Sequence, residues 1–304
     1  MWYLICAICC SASIALIFKH SETSGMNRYG ITSANYLTAC VVSVGLLLAQ
    51  GFELPTLDLE SSLVDVGALI SGETDAASQS TSFLWAVIVG LLAGGVFFLA
   101  FVYYQIGVKR HGVGLTGAFA KLGILVPMSF SLILWKESPS TMQWIGIGLA
   151  VFSIVLVNRP TDGDMRKALR PALLLLFLFG GLAEFSNKIF QQYGLLDHKT
   201  VFLLTTFSVA FVFSVVVTLL KNPKVTGRDL LTGVAVGVPN LFSSFFLILA
   251  LDTVPATIAF PAYSAGSIVI INVVGAAFFK ERLQRAEQIA VALTCLGLIL
   301  VNLR

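Results

Sequence analysis

The chain has 304 residues and a formal charge of +3; 57% of its residues are hydrophobic and only 12% are charged, with a mean hydropathy of +0.90. A soluble domain carries roughly 25% charged residues, so these few charges cannot cover the surface of a water-soluble globule. The small, dispersed positive charge also excludes a nucleic-acid footprint. The expectation is an all-α integral membrane protein.

A stretch of about 20 mostly apolar residues crosses a hydrocarbon core of roughly 30 Å. Met1-Trp2-Tyr3 leads straight into the first such stretch, Trp2–Phe18, without the basic segment and cleavage site of a signal peptide, so it reads as a retained span. Cys6, Cys9, Cys10, Cys40 and Cys295 all lie in apolar segments. With no second pair and no nearby histidine, Cys6-x-x-Cys9-Cys10 reads as small packing residues rather than a metal or redox motif. Span 2 is Thr32–Gln50. The loop Gly51–Ser82 holds Glu53, Asp58, Glu60, Asp65, Glu73 and Asp75 and no Lys or Arg; it is expected to be solvated and without a binding role.

Phe83–Gln105, Gly112–Trp135 and Ser140–Asn158 complete the first five spans, and the polar stretch Arg159–Arg170 is the joint. The second five are Pro171–Gln191, Thr200–Leu220, Leu230–Leu251, Ala256–Phe279 and Ala286–Leu303. The domain division is therefore residues 1–158, a linker at 159–170, and residues 171–304.

The two sets are copies. Ala86–Asn158 lies over Leu230–Asn302 without a gap at an offset of 144 residues, placing Leu134-Trp135-Lys136-Glu137 on Phe278-Phe279-Lys280-Glu281 and Leu156-Val157-Asn158 on Leu300-Val301-Asn302. Because five is odd, the second copy enters the membrane in the opposite sense. The fold class is thus ten transmembrane helices as two inverted five-helix repeats. Lys and Arg cluster in the loops after spans 1, 3, 5, 7 and 9, whereas only Lys136, Lys199 and Arg304 fall on the other side. The positive-inside rule then puts both termini outside the cytoplasm.

These residues carry a resemblance. A span ending in an acidic turn, then a last span rich in small residues, is written twice: Leu122–Trp135, Lys136-Glu137 and Gln143-Trp144-Ile145-Gly146-Ile147-Gly148, then Ile268–Phe279, Lys280-Glu281-Arg282-Leu283 and Gln288 to Asn302. The chain resembles the drug/metabolite transporter superfamily in its ten-span EamA-type form, and its second copy is similar to the C-terminal half of small multidrug resistance proteins. The resemblance implies a secondary transporter of a small metabolite or drug-like solute in the cytoplasmic membrane. A lipid-linked head-group translocase is its runner-up. Members are commonly drawn with both termini in the cytoplasm, the reverse of the charge count.

An ionisable residue deep in a span is costly in lipid and normally faces a partner or a wet cavity. Lys121 lies nine residues into span 4, about 13 Å along the helix, among Gly114, Gly117, Gly123 and Pro127, which let the backbone loosen or neighbours approach. The alternative is a lysine that snorkels or is held by a buried carboxylate. Glu184, Asn187 and Lys188 lie in span 6. Glu184 and Lys188 share a helix face, Lys188 is near enough to the span end to snorkel, and Glu184 could pair with Lys121 or exchange a proton. The surplus positive charge of the three is met by a substrate carboxylate or phosphate, or Lys121 is neutral when the site is empty.

Gly and Pro interruptions correspond between copies, with Gly94-Gly95 over Val238-Pro239 and Gly117 over Pro261, the usual pointer to a midplane site. Around them lie Tyr103, Tyr104, Gln105, Asn240, Tyr263, Ser264, Ser267 and Asn272. The candidate substrate-binding set is Lys121, Glu184, Asn187, Lys188, Gln105, Asn240, Tyr263, Ser267 and Asn272, although for each Asn or Ser taken alone a cross-helix bond is the stronger reading. Gly90-x-x-x-Gly94 and Gly233-x-x-x-Gly237 read as helix contacts. His20, His111 and His198 are scattered, so neither a metal nor a cofactor is expected. An embedded enzyme would need a second deep acidic residue or a metal set, which the sequence does not offer. The expected partners are a small-molecule substrate and the lipid bilayer; a homodimer is compatible with the sequence.

Overall fold

The computed structural model describes residues 1–56, 59–71, 78–111, 113–157, 171–222, 224–279 and 285–302. The described residues are 87% helical, with no strands among them. The helices are α1 (Trp2–Thr23), α2 (Arg28–Ala49), α3 (Leu59–Ser71), α4 (Gln79–His111), α5 (Val113–Leu122), α6 (Leu125–Leu134), α7 (Thr141–Val157), α8 (Pro171–Tyr193), α9 (Lys199–Lys221), α10 (Gly227–Leu251), α11 (Ala256–Phe279) and α12 (Arg285–Asn302). Only helices satisfy every backbone group within one lipid-bounded segment, and each expected span is helical over most of its described residues.

Two departures matter. Span 4 is two helices, α5 and α6, joined at Gly123-Ile124. The cause is Pro127, which has no N–H for the Gly123 carbonyl; that carbonyl takes the Val126 N–H instead at 3.0 Å, a tighter i→i+3 turn. Gly94-Gly95, Pro239 and Pro261 all sit inside unbroken helices. The acidic loop, expected to be solvated throughout, contains α3, whose Ser62, Val66 and Leu69 are buried.

By contacts the chain forms two compact units, 1–16 with 99–185 and 253–304, and 17–98 with 186–252, and it passes from one to the other inside α1, α4 and α8. Each unit draws on both sequence repeats.

The second of these units is built on α2, the first part of α4, α9 and α10. Its core holds Tyr36, Trp85, Phe190, Phe202, Phe207, Leu241 and Ile248, with Phe190 stacked on Phe202 at 4.8 Å between centroids. The two Gly-x-x-x-Gly motifs are helix contacts. A Cβ at Gly94 would stand 2.5 Å from the Thr206 carbonyl oxygen on α9, and one at Gly237 would stand 2.6 Å from the Asn35 carbonyl oxygen on α2. At the entry of α10, Thr226 and Asp229 form a reciprocal capping box. Asp229 Oδ1 also accepts the Asn27 N–H, at 2.9 Å, where α2 begins. One buried carboxylate thus ties together helix starts from the two repeats.

In the other unit α12 runs against α7, and α11 against α6, α7 and α12. Backbones meet where the span breaks: a Cβ on Gly181 of α8 would fall 2.4 Å from the Gly123 carbonyl oxygen. No larger residue fits that approach.

Candidate functional site

Lys121 lies in the last turn of α5, just before the Gly123-Ile124 break. Its ammonium lies over the Tyr263 ring, 5.9 Å from the centroid, within cation–π range. Its carbonyl accepts the Ser264 hydroxyl at 3.4 Å. The next α11 turn adds Ser267, whose hydroxyl donates to the Tyr263 carbonyl at 2.7 Å. Tyr263, Ser264 and Ser267 are buried while Lys121 is half-buried. Glu184, half-buried on α8, acts electrostatically on the Lys121 charge. Lys121, Glu184, Tyr263 and Ser267 therefore belong to one compact unit, with a cation, a carboxylate, an aromatic face and hydroxyls gathered beside an interrupted helix.

Aromatic rings pack in the same unit. Tyr103 stacks on Phe179 at 5.6 Å, and Phe130 on Phe185 at 4.7 Å. Phe179 and Phe185 flank Glu184 on α8, so that helix carries both charge and ring surface.

The remaining candidates lie elsewhere. Asn187 and Lys188, the next turn of α8, belong to the other compact unit. Lys188 does not snorkel: it is 5% exposed, and its ammonium donates to Gln191 Oε1 at 3.1 Å. Asn240, also in that unit, donates to Asn35 Oδ1 at 3.1 Å, a cross-helix bond beside Pro239. The side chains of Gln105 and Asn272 lie outside the described residues.

Two residues with structural roles escaped the sequence reading. Asn35, in a span matched only by hydropathy, offers no signal until its Asn240 partner is seen. Glu137 was visible as half of a repeated acidic turn, but its role was not. Its Oε2 accepts the Thr257 N–H at 2.9 Å and the Thr257 hydroxyl at 3.1 Å. Pro255, the residue before α11, has no side-chain acceptor for the helix's first N–H groups. Glu137 supplies the missing cap from 120 residues away, and its charge suits the positive helix end. The preceding Lys136 adopts φ +49°, a left-handed conformation uncommon outside glycine, which turns the chain from α6 toward α11.

Among the described residues five helices are long and apolar enough to cross a membrane and three shorter ones are apolar; with the inverted repeat and a charged group beside the break in span 4, they define an integral membrane protein of the inverted-repeat transporter class. The chain belongs to the EamA-like transporter family, whose sequence model matches residues 1–159. Residues 201–294 match the model for Small Multidrug Resistance protein. An uncharacterized protein of Haemophilus influenzae is 25% identical over 298 residues, covering 96% of this chain and 94% of its own length. A solved crystal structure superposes with a TM-score of 0.70, covering 99% of this chain and 95% of the other at 17% identity, a likeness of fold alone. The chain is thus a multi-pass membrane transporter of small solutes.

Proposed function

We propose that the protein is a secondary transporter that moves a small solute bearing an anionic group across the cytoplasmic membrane by alternating access. Lys121 receives the anion, the Tyr263 ring and Ser264 border it, and Glu184 balances the lysine when the cargo has left. The observation that carries this reading is Lys121 itself: an ammonium at a helix break in mid-span, over Tyr263 and within the influence of Glu184. A charge there is costly unless it serves a partner or a pathway. Gln105, Asn187, Lys188, Asn240, Ser267 and Asn272 are secondary candidates; Lys188 and Ser267 bond within their own helices and Asn240 bonds across to Asn35, which gives these three a structural account as well.

Flux into liposomes carrying Lys121→Ala and Lys121→Arg tests the role of the cation; unchanged transport by both would remove Lys121 from the mechanism. Coupling to protons through Glu184 is part of the proposal. It requires that an imposed pH gradient drive uptake in the wild type and not in Glu184→Gln. Gradient-independent flux by the wild type would dismiss that coupling.

A further inference from the structure

Helix α3 has two apolar sides, and the described residues of the protein cover only one. Ser62, Val66 and Leu69, spaced as one helix face, are buried, and Val66 joins the core with Tyr36 and Trp85. Roughly 70° around the axis, at about 100° per residue, stand Leu59 and Leu63. They are 60% and 54% exposed, and Val64 beyond them is 69% exposed. Leu54, just before the helix, is 74% exposed.

The position of α3 is fixed. Asp65 Oδ2 accepts the Thr81 hydroxyl at 3.2 Å, and Thr81 is in the first turn of α4, a helix long and apolar enough to cross a membrane. The helix before it, α2, is another such span. Leu59 and Leu63 therefore stand at the level where spans leave the bilayer. No Lys or Arg occurs between Gly51 and Ser82, and Ser61, exposed and about 180° around the helix from the Leu59–Leu63 side, marks its polar side.

We propose that α3 is an in-plane membrane helix whose Leu59–Leu63 side rests in the headgroup–acyl boundary of the bilayer that holds α2 and α4. Its attachment comes from apolar area and not from basic residues, so it suits uncharged, zwitterionic headgroups; acidic side chains disfavour an anionic surface.

The test uses the full-length protein in phosphatidylcholine vesicles, with a nitroxide attached through p-acetylphenylalanine at Leu63 or at Ser61, leaving the native cysteines untouched. Power saturation compares relaxation by oxygen, which partitions into lipid, with relaxation by a water-soluble nickel chelate. The oxygen-to-nickel ratio at Leu63 is expected to exceed that at Ser61 on the order of threefold or more. A label at Leu59 reads the same face should the Leu63 label disturb assembly. Equal, nickel-dominated ratios at all three positions would place α3 in water and overturn the proposal. So would a Leu63 label shielded from both reagents in proportion to protein density in the vesicles, which would put a second copy on this face.

Discussion

Lys121 is held by things that a substitution can remove one at a time. Lys121→Ala deletes the charge, and flux in liposomes is expected to fall to background. Lys121→Arg keeps the charge but replaces a compact ammonium with a planar fork, so partial activity is expected. Glu137 makes a different prediction, because its bonds go to a helix end. Glu137→Ala strips the cap from α11 and is expected to lower stability by about 1 kcal/mol, the usual size of a lost cap. Glu137→Gln retains an acceptor oxygen and is expected to fall between the two; thermal unfolding in detergent checks both, and an unchanged midpoint in Glu137→Ala would remove the cap from the account. Lys121 and Glu184 were legible in the sequence because a charge in an apolar run cannot hide. The function of Glu137 was not: a cap reaching across 120 residues is tertiary, and local spacing carries no trace of it. The burial of Lys188 was not legible because distance from a span end does not reveal its bond to Gln191 on the same helix.

Among the helices, the closest approaches set the order of effects. The Asn35–Asn240 bond is a hydrogen bond within a membrane protein, which averages about 0.6 kcal/mol. Placing a methyl at Gly181 drives it onto the Gly123 carbonyl 2.4 Å away, and overpacking costs roughly 1–3 kcal/mol. Gly181→Ala is therefore expected to depress the unfolding midpoint more than Asn240→Leu does. The reverse order would mean that the helix break is looser than its geometry implies. Span existence and the small-residue contacts followed from hydropathy and Gly-x-x-x-Gly spacing. Gly117, the interruption expected in span 4, lies inside α5; the break is at Gly123-Ile124 and depends on Pro127 and on the partner glycine of α8. Helix α3 was not anticipated, because thirteen residues with mixed acidic and apolar character lack the length and uniformity of a span.

For the whole molecule, the repeat and the compact units are different divisions of one chain. The repeat was legible from the 144-residue offset; the units were not, because they depend on which helices touch. Orientation rests on the distribution of Lys and Arg. The count places the C-terminus outside the cytoplasm, so a C-terminal fusion to alkaline phosphatase is expected to be active in cells, and an inactive one would reverse the assignment. The central claim, that Lys121 receives the anionic part of the cargo, is tested most directly by thermal stabilisation of the purified protein across a panel of small metabolites. At least one anionic solute is expected to raise the unfolding midpoint of the wild type and to lose that effect in Lys121→Ala. A solute that stabilises both proteins equally would contradict the account.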